Sequence, residues 1–201
     1  EILLRVRGVE IDLHRTFVDG PFGLTLHPAD CFAAPVPFTA GGQTLARLAP
    51  GPRLLHAAYA ATLSDWPPRL VAARDLVQVL AADTPALDEV LGLARRWRAE
   101  AVLATGTRWA WRTLQLTGRC ALLDWADRFR PSRRDRWLMA SYHGKARGYT
   151  RQLGSLLALA GWRDRTAYLR ALAFPQPEYR AARRLGRSGL LGAGLRRARG
   201  T

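Results

Sequence analysis

At Pro50-Gly51-Pro52 the hydrophobic period of the chain changes. Before it, apolar and polar side chains alternate in short runs separated by glycine turns. After it, apolar side chains return at helical spacing. Period 2 and period 3.6 place different residues on one face, so neither pattern folds as the other. This break points to an α+β chain, predominantly α, with a small antiparallel β piece of two hairpins followed by a helical bundle. Residues 1–50 form the β part and residues 51–201 the helical region, whose last third is arginine-rich.

Ile2 to Val6 is a β-rich run and Arg7-Gly8 a turn signal. Val9 to Phe17, reading VEIDLHRTF, then puts Val9, Ile11 and Leu13 on one face and Glu10, Asp12 and His14 on the other. Two such runs across a two-residue turn ending in Gly predict an antiparallel hairpin. A second hairpin is predicted from Val36 to Thr39, Gly41-Gly42 and Gln43 to Leu48, with residues 18–34 a loop holding one short helical turn near Pro28 to Phe32. Such strands need cover, so the helices from residue 53 onward, or elements N-terminal to the chain, are expected to pack on them. The strand pattern is already running at Glu1, which leads us to expect a start inside a larger fold or behind a removed segment.

From Arg53 to Leu63 the apolar face is Leu54, Leu55, Ala58, Tyr59 and Thr62, and Trp66-Pro67-Pro68 breaks the helix. Arg69 to Ala82 is a second helix with Leu70, Ala73, Leu76, Val77 and Leu80 on one side. Asp83-Thr84-Pro85 reads as the cap and first turn of a third, running to about Arg98. Further helices are predicted over Glu100 to Leu116, Arg119 to Phe129, Asp135 to Ala160 with an interruption near Gly144 or Gly148, Asp164 to Ala173, and Glu178 to Arg187. Trp97, Trp109, Trp111, Trp125 and Trp137 fall at helical spacings and read as bundle core and rim.

No uninterrupted apolar stretch of about 18 residues exists, so no transmembrane helix is expected. Cys31 and Cys120 lie far apart without metal-ligand spacing and read as reduced thiols of a cytoplasmic protein rather than a disulfide. The net charge of +15 is confined to residues 128–201, where eighteen basic residues face three acids. All basic side chains but Lys145 are arginine. Arg128, Arg130, Arg133, Arg134 and Arg136 flank Pro131, and Arg183, Arg184, Arg187, Arg196, Arg197 and Arg199 crowd the end. Such clusters give salt-dependent affinity for polyanions, whether nucleic acid or an anionic membrane. Arginine together with Ala, Leu and Gly richness is equally what a GC-rich genome produces.

Glu10 and Asp12, two apart on a strand, share a face. Paired carboxylates repel, and a divalent cation relieves the repulsion; the plainer reading is a solvated polar face. His14 alternates with them and reads either as a phosphate contact or as a structural histidine. His56 reads as a core histidine of the first helix, and Asp75, beside Arg74, as an ion-pair partner. His143, Lys145 and Arg147 make a phosphate-binding candidate or a solvated basic face.

Ile11-Asp12-Leu13-His14, then Leu54-Leu55-His56, then Asp75-Leu76 together resemble the later part of the uncharacterised nucleotidyltransferase family. That family is similar to the minimal nucleotidyltransferases of the DNA polymerase beta superfamily. Ala167 to Arg183 also resembles how such proteins end. The resemblance implies transfer of a nucleotidyl group from a nucleoside triphosphate to an acceptor, with Mg2+ held by an Asp-x-Asp pair after a Gly-Ser turn and by a third carboxylate on a later strand. Asp12 corresponds to that third carboxylate, as metal ligand and catalytic residue. Glu10 is its catalytic neighbour, and His14, Lys145 and Arg147 are substrate-binding candidates. Gly154-Ser155 has no Asp-x-Asp after it and Ser188-Gly189 lies in the tail, so the front half of the pattern is not found in these residues. On this reading the chain alone is expected to be incomplete for catalysis.

Overall fold

The computed structural model describes residues 2–13, 16–64, 67–143, 147–159 and 161–174. The expected helix over Glu178 to Arg187 lies outside them. The chain divides into two units, Glu1–Gly154 and Ser155–Thr201.

The first unit opens with β1 (Ile2–Val6) and β2 (Val9–Leu13), antiparallel in the register Leu3 to Asp12, Leu4 to Ile11, Arg5 to Glu10 and Val6 to Val9. Arg7 and Gly8 both take positive φ, 50° and 83°. That is the two-residue turn whose twist matches the strands it joins. Two short helices follow, α1 (Pro21–Thr25) and α2 (Pro28–Cys31), each begun by a proline. The second hairpin is β3 (Val36–Ala40) and β4 (Gln43–Arg47), turned by Gly41 and Gly42, both at positive φ.

The strands form two separate two-stranded sheets. Among the described residues the helices do not cover them. The Leu4, Val6, Val9, Ile11 face of the first hairpin is 40% to 61% exposed, and Phe38 and Leu45, facing each other in the second, are exposed too. The helices bury their apolar stripes on one another instead, and among the described residues no hairpin residue enters the core.

That core is built on α3 (Pro50–Tyr59), a π-helical turn over Ala60–Ser64, α4 (Leu70–Ala82), α5 (Leu87–Arg96), α6 (Glu100–Thr113), α7 (Ala121–Arg128) and α8 (Arg133–Ala140). The expected face of α3 is correct residue for residue: Leu54, Leu55, Ala58, Tyr59 and Thr62 are all buried. On α4, Ala73, Leu76 and Leu80 are buried and Leu70 is exposed. The centre is α6, packed against α3, α4, α5, α7 and α8. A Cβ on Gly106 would sit 2.8 Å from Thr62 Oγ1 and 3.3 Å from the Ala58 carbonyl, so α6 meets α3 and the π turn at close to backbone contact.

Asp83 and Thr84 do not cap α5, whose N-terminus has no side-chain cap. Thr84 donates back to the Leu80 carbonyl at 2.8 Å, and the Asp83 carboxylate accepts from Arg47 and Arg53. Both therefore finish α4, and the Arg47 contact ties the foot of β4 to the bundle. Trp97 is fully buried, Trp109, Trp111 and Trp125 line the rim, and Trp137 is exposed.

The break expected near Gly144 separates α8 from α9 (Arg147–Ala158), within which the division between units falls. The second unit continues into α10 (Trp162–Ala173), an exposed helix with no buried residue. Arg165 Nε closes its entry by donating to the Leu159 carbonyl at 3.0 Å.

Candidate functional site

Glu10 is exposed, and its carboxylate accepts from Arg5, its register partner on β1. Position 12 lies opposite Leu3 and, by strand alternation, on the same face as Glu10. His14 and Lys145 lie outside the described residues, as do Arg183, Arg184, Arg187, Arg196 and Arg197. Arg147 is the first residue of α9.

Downstream of β2, the chain enters the bundle at Thr16 and Phe17. The Phe17 ring packs against His56 with centroids 4.6 Å apart and stands edge-on to Tyr59 at 5.9 Å and to Trp97 at 5.8 Å. Thr16 Oγ1 reaches the Gly23 carbonyl at 3.2 Å, and Tyr142 Oη accepts from the Phe22 amide at 3.2 Å. Below them, Thr25 Oγ1 donates to the Trp97 carbonyl at 2.7 Å, and Trp97 Nε1 donates to Asp30 at 2.8 Å. These bonds fix α1 and α2 against Tyr142 and the end of α5.

The result is a cavity of about 310 Å³ lined by Thr16, Phe17, Leu26, Cys31, Phe32 and His56, with Pro28 at its side. His56 is the surprise. It was expected in the core, but it sits on the exposed side of α3 while Leu54, Leu55, Ala57 and Ala58 are buried. Its ring packs on Phe17 and lines this cavity. Burial pushes the Cys31 thiol above its ordinary range, with the Asp30 carboxylate adding to the shift. Cys31 is thus a protonated wall, not a nucleophile. With the Thr16 hydroxyl turned to backbone, His56 is the lining residue suited to exchange a proton or contact an anion. The phenyl rings of Phe17 and Phe32 offer flat apolar surface beside it.

Asp12 is four residues from Thr16, so their Cα atoms are at most about 14 Å apart. In the sequence, Ile11 to His14 and Leu54 to His56 stand as separate segments. The contact of Phe17 with His56 leaves no local signal, because it spans 39 positions.

Mg2+ is commonly held by one or two carboxylates together with substrate phosphates. On β2 the Glu10 carboxylate is already engaged by Arg5. Among the described residues no group of three or more His, Cys, Asp or Glu could hold a metal ion. The described side chains therefore do not make a self-contained metal site.

Elsewhere, Asp75 accepts from Arg74 at 2.8 Å on the surface of α4. His143 reaches the Thr62 carbonyl at 3.1 Å through Nε2. A carbonyl only accepts, so Nε2 carries the proton, and the ring finishes the last turn of the π segment. No helix among the described residues is long and apolar enough to cross a membrane. Comparison with family models, with curated proteins and with solved structures finds no match to this chain.

Proposed function

We propose that this chain is the later part of a nucleotidyltransferase, contributing one carboxylate strand and an acceptor-side helical module to transfer from a nucleoside triphosphate. The observation that supports the reading is the contact of Phe17 with His56 of the second marked segment. Ile11–His14 and Leu54–His56 are about 40 residues apart in sequence. Phe17, which follows the first segment, packs on His56 of the second beside one cavity. A flat apolar wall next to a single imidazole suits a nucleobase or the phosphate that follows it.

In this reading an acceptor oxygen attacks the α-phosphorus, the bond to the β-phosphate oxygen breaks, and pyrophosphate leaves with the electron pair. The acceptor proton passes to a carboxylate, for which Asp12 is the candidate, with Glu10 beside it. His14, Lys145 and Arg147 are the candidate phosphate contacts. Mg2+, when bound, would offset the charge that gathers on the phosphates, and it would need ligands beyond the side chains described above.

The test is transfer of an α-phosphate radiolabel by the natural full-length protein with Mg2+, alongside Asp12→Asn. Loss of transfer by about a hundredfold or more with the fold retained is the expected result. Undiminished transfer in Asp12→Asn sinks the assignment, and so does failure of His56→Ala to weaken triphosphate binding.

A second reading has its own observation. Arg128, Arg130, Arg133, Arg134 and Arg136 surround Pro131, and the nearby acids are engaged. Asp135 closes a capping box with Ser132, and Asp124 and Asp127 accept from Arg119. The arginines are exposed, which favours a helical module that docks a polyanion. Titration with RNA and with anionic vesicles at two salt concentrations decides it, and salt-insensitive or absent binding removes it.

A further inference from the structure

A second cavity of about 430 Å³ lies on the other side of α3. Its walls are Leu54 of α3, Val77 and Leu80 of α4, Leu87 and Val90 of α5, and Leu122 of α7. Leu54 and Val90 are almost wholly buried, so these walls belong to the packed core and not to a loose surface. The volume falls within the roughly 300–1,000 Å³ of small-molecule sites.

The chemistry of the lining is one-sided. No charged side chain lines the cavity, in a chain of net charge +15. Its polar groups are turned away from it. The Thr84 hydroxyl donates to the Leu80 carbonyl at 2.8 Å, and the Trp111 indole N–H donates to the Gly118 carbonyl at 2.7 Å. The second bond holds the indole in place from the loop after α6. Cys120, a free thiol at the N-terminal end of α7, supplies the remaining polarisable atom. A ligand carrying charge or several hydrogen-bonding groups would leave them unsatisfied here. A hydrocarbon surface would lose nothing and would regain the dispersion contacts that an open apolar cavity forgoes.

We propose that this cavity is a binding site for a neutral apolar small molecule, separate from the His56 cavity and independent of the nucleotidyltransferase reading. The occupant has the chemistry of an aromatic ring or a short alkyl chain without charge. Leu54 and His56 lie two residues apart and so on different sides of α3, which keeps the two cavities distinct.

The test uses the whole chain and the neutral dye N-phenylnaphthylamine. Saturable dye fluorescence at one site per chain is expected, displaced by naphthalene or by decanol, the stronger competitor telling ring from chain. Ala81 and Ala121 are exposed lining residues, so Ala81→Trp and Ala121→Trp plug the mouth from the surface. Each is expected to weaken dye binding by about tenfold or more with the helical signal unchanged. A readout without variants is alkylation of Cys120 by N-ethylmaleimide, expected to slow severalfold with saturating naphthalene while buried Cys31 stays unreactive. Saturable binding with Cys120 protection supports the site. Absence of saturable binding, unslowed alkylation, or dye affinity unchanged in both variants overturns it.

Discussion

The indole N–H of Trp97 donates to the Asp30 carboxylate at 2.8 Å, joining the end of α5 to α2. The same ring stands edge-on to Phe17 at 5.8 Å, so one buried side chain holds both the floor and the wall of the His56 cavity. Trp97→Phe removes the donor and part of the packing, leaving Asp30 its contact with Arg96 at 3.6 Å. A loss of about 2–3 kcal/mol by urea denaturation is expected. Asp30→Asn is expected to cost less, because an amide still accepts the indole bond.

Gly23 and Gly106 have no room for a side chain. A Cβ on Gly23 would lie 1.9 Å from the Val18 carbonyl, and one on Gly106 would lie 2.8 Å from Thr62 Oγ1. The first clash is with backbone and the second with a hydroxyl. Gly106→Ala is expected to cost about 1–3 kcal/mol and Gly23→Ala more. Thr62→Ala also loses its 3.2 Å bond to the Val102 carbonyl. A double-mutant cycle should nevertheless show Gly106→Ala costing less in the Thr62→Ala background. Equal costs in the two backgrounds would contradict the geometry.

Arg98 and Gln115 occupy the left-handed region at φ 52° and 53°. Each ends a helix in the same way. Ala99 N–H bonds Ala94 and Arg98 N–H bonds Arg95 after α5; Leu116 N–H bonds Trp111 and Gln115 N–H bonds Arg112 after α6. This is the Schellman arrangement, where glycine is the favoured residue. Arg98→Gly and Gln115→Gly are each expected to raise stability by about 0.5–1 kcal/mol, read as a higher urea midpoint at unchanged slope.

Alkali should destabilise the fold through two buried groups. Burial raises the Cys31 thiol above its ordinary 9.0, with Asp30 adding. Burial also raises the Tyr59 hydroxyl above its ordinary 10.0, with Tyr142 and Cys31 adding. Between the ordinary and the raised value the unfolded chain has released a proton that the folded chain still holds. Stability is therefore full below about pH 9 and falls as the pH rises through that interval. Denaturation midpoints from neutral to alkaline pH should show the fall, and Cys31→Ala and Tyr59→Phe should each make it shallower. An alkaline limb parallel to wild type in both variants would assign it to other groups.

The helical half was legible because its signal is local. Leu54, Leu55, Ala58, Tyr59 and Thr62 announce a buried stripe by spacing alone, and all are buried. Three things were not legible. The π turn over Ala60–Ser64 keeps an apolar pattern that a plain α-helix also satisfies, so only the backbone reveals the wider turn. Asp83-Thr84-Pro85 has cap chemistry, yet Arg47 and Arg53 claim the carboxylate from elsewhere in the chain. His56 falls inside an apolar run, and its ring packs on Phe17, which arrives from far upstream. The candidate carboxylates were readable as positions on a strand, while the His56 cavity was set by long-range packing.

The bare apolar face of the first hairpin carries a consequence for hydrogen exchange. A two-stranded sheet without cover is only marginally stable on its own, whereas α6 is enclosed by five other helices. Amide protons of β1 and β2 should therefore exchange with solvent through small local openings, long before those of Val102 to Thr107, which wait for global unfolding. The strand bearing Glu10 and Asp12 is thus the low-stability margin of a well-protected helical body. Its shape at any moment owes more to whatever lies against it than to the bundle behind.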